Sequence, residues 1–319
     1  MSKKFRGLDS EFIKELKQGK LHPLLEYESE NRESLMIEIR NNELTIYFLG
    51  HGIKVVRKEK KQEYFLIASN NFDPSSLLGE NSSIVQKYGP KYWQVSFSDI
   101  KDAKHFGIIM DAIIGKIAEH KHGKISEGVS EANHFIDNRA NAKNGILIID
   151  RQVVYPHHRS DRIDLLGLAR LKSGKATFAV IELKNKNNPQ ISDVFSQLKR
   201  YIDWLFQEKV YEDFRETYST IVEQKGDLGL LVKFGCEIAP FSEIAKKDLI
   251  GIVVLDNFNV RSDIRKEGLL KRALHNWDCV GDKEYNIKMY IKTNVLDSTF
   301  LMDRNQAGRL LEDYRRCNL

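Results

Sequence analysis

Three charged residues in the middle of the chain interrupt strand patterns that are otherwise apolar. The run ATFAVIELKN (176–185) opens on Phe178, Ala179, Val180 and Ile181, a sequence suited to the inside of a parallel or mixed sheet. Glu182 and Lys184 follow two residues apart, and the side-chain period of a strand puts both on one face, beside Val180. Just upstream, RIDLLGLARL (162–171) places Asp164 on a face shared with Leu166 and Leu168. The short LKSGK turn between the two runs makes them hairpin partners and lets Asp164 approach Glu182. Two carboxylates converging on a partly buried site repel each other unless a proton or a cation lies between them. A divalent ion resolves that conflict, and Mg2+ in particular is held by one or two carboxylates and completed by water and substrate phosphate. Lys184 would then orient or help deprotonate an attacking water, or offset charge on a phosphorane-like transition state. Asp, Glu and Lys around one metal form a set suited to phosphodiester hydrolysis. The same Glu182–Lys184 spacing also fits a structural ion pair at a strand end.

The flanking elements decide whether these residues meet. Residues 9–30 carry a helical pattern, and from Ser34 the period changes. LMIEIR, LTIYFL, IKVVR and EYFLIAS are short β-branched or aromatic runs separated by turn signals, which predicts an antiparallel meander. SSLLGENSSIVQKYGPKYW (75–93) reads as a loop-rich connection, so a β-rich N-terminal domain is placed at 1–100. Helices are expected over 99–120 and 125–140. Strands follow at 145–156, 162–171 and 176–185. Next come a helix over 191–208 capped by Ser192, a less regular helical segment to about Gln224, and a buried strand at 248–256. The order is α-β-β-β-α-β, an α/β sheet whose middle strands are hairpin partners and whose last strand follows a helical crossover. Residues 101–256 form this core, and 257–319 a mixed α/β extension.

With that order, RIDLL and AVIELK resemble the PD-(D/E)xK nuclease superfamily, which includes restriction endonucleases, Holliday-junction resolvases and RecB-like nuclease domains. The resemblance covers roughly residues 125–256. It maps the family's first Asp onto Asp164 and its (D/E)xK element onto Glu182-Leu183-Lys184; Ile163 stands where the motif's name has Pro. Members often add a Glu on the first core helix, for which Glu131 is the candidate and Glu127 the alternative one turn earlier. RecB-like members carry a Gln and a Tyr on the helix after the ExK strand. QLKRYIDWL supplies Gln197 and Tyr201 at i, i+4 on one helical face, although both also fit ordinary packing. VIELKN…QLKRYIDWL is similar, too, to what Shedu-type defence nucleases carry. The resemblance implies a restriction-endonuclease-like fold and a Mg2+-dependent nuclease, with Mn2+ as a substitute. Asp164, Glu182 and Glu131 would hold the metal, Lys184 would serve the nucleophilic water, and Gln197 and Tyr201 would support the site. It also implies DNA rather than RNA as substrate, a role in restriction, repair or anti-phage defence, and a homo-oligomer where both strands are cut.

Composition sets the outer limits. A 319-residue chain that is 41% hydrophobic and 30% charged has ample material for about two domains. The net charge of +5 is compatible with a polyanionic partner and equally with a solvated basic surface. The basic turn RKEKKQ (57–62), the loop residues His157, His158 and Arg159, and the arginines of the tail have exposed, solvated roles as their default. Cys236, Cys279 and Cys317 are isolated, so neither a zinc ribbon nor a disulfide framework is supported. No apolar leader opens the sequence, and FGIIMDAIIGKIA is interrupted by Asp111 and Lys116, so a cytoplasmic location without a membrane span is expected. Two rival functions keep the fold without turnover: a nucleic-acid-binding module, and an assembly subunit using the N-terminal meander and the 257–319 tail.

Overall fold

The computed structural model of the chain describes residues 6–58, 62–121, 145–154, 162–171, 173–185, 188–231, 241–256, 269–280, 286–291 and 300–302, together with 306 and 309. The helix expected over 125–140, with Glu127 and Glu131, lies outside the described residues, as do His157, His158, Arg159 and nearly all of the expected terminal helix. The chain forms two compact units, Met1–Asn141 with Thr217–Val232, and Ala142–Glu216 with Lys233–Leu319.

The first unit opens with two helices, α1 (Ser10–Gln18) and α2 (His22–Glu30), where the sequence pattern suggested one. Pro23 explains the break: it can begin a helix but cannot continue one, because its ring clashes with the carbonyl four residues back. The strands β1 (Leu35–Ile39), β2 (Glu43–Phe48), β3 (His51–Lys58) and β4 (Glu63–Ser69) form the expected meander. A short helix, α3 (Ser75–Leu78), follows. The segment read as a loop then contains a hairpin, β5 (Gln86–Tyr88) and β6 (Tyr92–Ser96), turned at Gly89, whose φ of 69° suits glycine. Among the described residues these strands pair entirely antiparallel in the order β1-β2-β3-β4-β6-β5. The helix α4 (Ala103–Lys121) packs on α2, with Phe106 edge-on to Tyr27 and stacked on Phe97.

The second unit holds a mixed sheet. It comprises β7 (Ile146–Val154), β8 (Arg162–Arg170), β9 (Ala176–Asn185), β10 (Ile250–Asp256), β11 (Asn286–Ile291) and β12 (Phe300–Met302). Their spatial order follows the sequence. The β7–β8 and β8–β9 pairs are antiparallel, β9–β10 and β10–β11 parallel, and β11–β12 antiparallel. Between β9 and β10 in the chain run α5 (Val194–Leu205) and α6 (Glu208–Asp227), the latter a regular helix rather than the irregular segment expected, whose residues from Thr217 onward belong to the first unit. A 3-10 turn over Pro189–Asp193, held by Asn188 Oδ1 accepting from Gln190 N, precedes α5, so the helix starts three residues later than its pattern implied and without the Ser192 cap. The helix α7 (Leu269–Val280) packs on α5 through the stacked rings of Phe195 and Trp277, 4.6 Å apart.

Candidate functional site

All ten residues of β9 are buried, because the strand is paired on both edges and lies inside the sheet. It is therefore a costly place for charge. The registered β8–β9 pairs run from Arg170↔Ala176 to Leu165↔Ile181, and one further step brings Asp164 opposite Glu182. There the side chain enters the ladder: Asp164 Oδ2 accepts the backbone N–H of Leu183 at 2.9 Å. This bond uses one of the Asp164 oxygens and fixes the carboxylate beside β9.

Glu182 is fully buried and Lys184 is 4% exposed, with Lys184 Nζ donating to Glu182 Oε1 at 2.5 Å. The other carboxylate oxygen of Glu182, Oε2, is buried and meets no N–H or O–H donor among the described residues, while the Asp164 carboxyl lies within hydrogen-bonding reach of Glu182 and can share a proton with it. Burial, and then the adjacent Asp164 charge, push the Glu182 carboxyl well above the ordinary Glu range; Lys184 opposes both and does not prevail. An isolated buried Glu–Lys pair would be expected to favour the charged carboxylate. Here the Asp164 carboxylate adds a second negative charge beside the pair, and the folded Glu182 carboxyl is correspondingly easier to protonate.

The helix α5 comes close to the sheet here because one residue beneath it has no side chain. A Cβ on Gly251 would lie 2.8 Å from Ile202 Cδ1 and 3.1 Å from Leu198 Cδ2, so glycine permits the close approach. Gly251 registers with Val180, which shares a face with Glu182, so α5 covers the face that carries the charges. A reciprocal pair of bonds clamps α5 to α7: Ser196 N to Asn276 Oδ1 at 3.0 Å, and Asn276 Nδ2 to Ser196 Oγ at 2.8 Å. Tyr201 is buried, and Gln197 Nε2 donates to its hydroxyl at 2.7 Å. Burial first, then the charges of Glu182 and Asp164, push the Tyr201 hydroxyl upward, and the bond from Gln197 only partly offsets this. The phenol thus stays protonated, with two carboxylates nearby.

Of the residues singled out in the sequence, Asp164, Glu182, Lys184, Gln197 and Tyr201 come together in this one region, while Glu131 lies outside the described residues. Sequence reasoning missed Asp150 and Arg151 on β7, both fully buried. Asp150 registers with Leu166, two residues along β8 from Asp164, and so shares its face; its Oδ1 accepts the Arg151 N–H at 2.7 Å. A register shift between Ile148 and Asp150, and the left-handed φ of 50° at Gln152, distort the strand at this point. The signal was present in ILIIDRQVV, where a charged pair splits an apolar run much as Asp164 does.

The donor set suits a hard divalent ion. Two carboxylates, one with a buried oxygen that meets no N–H or O–H donor among the described residues, match the one or two protein ligands that Mg2+ takes while keeping water. Among the described residues no group of three His, Cys, Asp or Glu side chains is placed to hold a metal. No known protein family, curated protein or solved structure matches the chain.

Proposed function

We propose that the protein is a divalent-metal-dependent phosphodiesterase acting on nucleic acid, with DNA favoured and restriction, repair or anti-phage defence as its setting. On this reading the second unit is a restriction-endonuclease-like core. The observation that carries the reading is the adjacency of two buried carboxylates: Glu182, whose Oε2 meets no donor among the described residues, and Asp164 on the neighbouring strand. Asp164 and Glu182 would hold Mg2+, or Mn2+ in its place, with Glu131 as the expected third carboxylate. The ion would supply Lewis-acid stabilisation and a more acidic water.

The remaining work falls to this chain's own side chains. Asp164 is oriented by the Leu183 N–H, so its second oxygen has a fixed direction. Lys184, held at Glu182 Oε1, would lie beside a bound ion, where its ammonium would serve the attacking water or the charge developing on phosphate. Tyr201, whose oxygen accepts from Gln197 and whose hydroxyl lies in the field of Glu182 and Asp164, would act with Gln197 as a positioning residue. The 2.5 Å ion pair favours a second reading, a nucleic-acid-binding module in which Lys184 permanently neutralises Glu182.

Cleavage of plasmid, linear and single-stranded DNA and of RNA, with Mg2+, Mn2+ or EDTA, separates the two. Metal-dependent cleavage lost in Glu182→Ala and Lys184→Ala supports the enzyme. Absence of cleavage on every substrate supports the binding module, and equal cleavage by all three proteins places the activity elsewhere.

A further inference from the structure

The antiparallel sheet of the first unit ends in a hairpin, QKYGPKYWQ (86–94), that carries two lysines and no acidic residue. Tyr88 and Tyr92 are registered directly opposite each other across it and are 41% and 48% exposed. They are two of the four large hydrophobic side chains exposed among the described residues, so exposure at this hairpin is concentrated rather than scattered. Strand alternation sends the third aromatic, Trp93, into the core.

The exposed pair is held in place from beneath. Lys58 Nζ lies 4.2 Å from the ring centroids of both Phe65 and Tyr88, and donates to Gln94 Oε1 at 2.6 Å. Gln94 Nε2 in turn donates to Gln86 Oε1 at 3.4 Å across the hairpin. The Tyr88 ring is therefore oriented by a cation on one face before any ligand arrives. Lys87 and Lys91 flank the tyrosines along the chain, are exposed and make no ion pair among the described residues; Lys87 registers with Trp93 and so leaves the edge strand on the side opposite the tyrosine pair.

We propose that this hairpin binds single-stranded nucleic acid, with Tyr92 and Tyr88 stacking unpaired bases on one face and the long side chains of Lys87 and Lys91 drawing the phosphate backbone along the hairpin's edge. Opposed tyrosine rings offer a stacking partner for the π-face that an unpaired base presents and a duplex hides. The lysines supply the backbone contact that such platforms combine with stacking. The site stands on the first unit alone and does not depend on the catalytic reading of Glu182.

The test is fluorescence anisotropy of the full chain with a labelled oligo(dT) of about 20 nucleotides, longer than a single stacking platform occupies. EDTA prevents cleavage throughout. Tyr92→Ala should weaken binding between about 5- and 150-fold, the loss expected for one stacked base, while Tyr92→Phe keeps the ring and binds like the wild type. The double variant Lys87→Ala/Lys91→Ala should lower the slope of log affinity against log salt by about 1.4, the value for two single-strand phosphates. Unchanged affinity in Tyr92→Ala, equal impairment in Tyr92→Phe, or an unchanged salt slope each overturns the proposal. So does recruitment to phosphatidylserine vesicles through Tyr92 in place of oligonucleotide binding. Wild-type protein that cleaves in metal but does not bind the oligonucleotide in EDTA rejects this site only; wild-type protein that binds through Tyr92 but never cleaves rejects only the enzyme.

Discussion

Replacing Glu182 by Gln should make the metal-free protein progressively more stable, relative to the wild type, as pH rises. An unfolded Glu titrates near its ordinary value of 4.5, whereas burial and then Asp164 hold the folded carboxyl well above it against the pull of Lys184. Between those two values the folded state carries more protons than the unfolded state, so raising the pH favours unfolding. The favourable contribution is fully present below about pH 4.5 and is lost as pH passes the folded value. One group can contribute at most one proton, which sets the limit at a tenfold change in the unfolding constant for each pH unit in that window, about 1.4 kcal/mol. Gln has no proton to lose and lacks this slope. Its amide oxygen can still accept from Lys184, but the charge that strengthens the bond is gone, a loss on the order of 1 kcal/mol, so the sign at any single pH is less informative than the trend. Urea unfolding in EDTA at half-unit pH steps, wild type against Glu182→Gln, measures that trend. The difference should grow in favour of Gln as pH rises and then level off, the plateau marking the folded carboxyl. A difference that stays flat, or moves toward the wild type with rising pH, would mean that Lys184 fully satisfies an ordinary ionised Glu182.

Lys184→Met removes the internal cation that lies 2.5 Å from Glu182 Oε1, so it should bind Mn2+ more tightly at pH 8.5 while losing cleavage; weaker binding, read by calorimetry, would make Lys184 a supporter of the metal site rather than its competitor. Gly251→Ala should cost about 1–3 kcal/mol by urea unfolding, because the new Cβ overlaps Ile202 and Leu198 of α5, and a neutral result would show that α5 can shift. In the first unit, Lys225 Nζ sits 2.7 Å from Glu38 Oε2 with both side chains buried, whereas Arg40 Nη1 is 3.8 Å from the same oxygen. Lys225→Met should therefore cost about 3 kcal/mol by removing the nearer cation from a buried carboxylate; a loss under about 1 kcal/mol, the scale of a surface pair, would refute this.

Much of the local structure was legible in the residues. Period-two runs separated by Asn and Gly located β1 to β4, and apolar runs located β7 to β10, because strand burial imposes those patterns directly. The features that escaped depend on short-range chemistry that periodicity does not record. Pro23 divides the first helix, Gly89 and Pro90 turn a hairpin within an apparent loop, and the Asn188–Pro189 turn delays α5. The candidate site was partly legible for a related reason: Asp164, Glu182 and Lys184 are conspicuous because charge is rare in buried strands. Asp150 and Arg151 obey the same rule and were passed over because no spacing tied them to a partner.

By itself, the sequence determined that Glu182 and Lys184 share a face and that Gln197 and Tyr201 share a helical face, since both follow from fixed periods within one element. Only the tertiary structure decided that α5 lies over that strand face, which required the missing Cβ of Gly251 and the clamp between Ser196 and Asn276. It alone decided, too, that Asp164 gives one oxygen to Leu183 N while Glu182 Oε2 meets no N–H or O–H donor among the described residues. Periodicity constrains direction along one element, but hydrogen-bond satisfaction depends on neighbours distant in sequence. The distance between a blemish in a strand and a candidate metal site is set by that second kind of information.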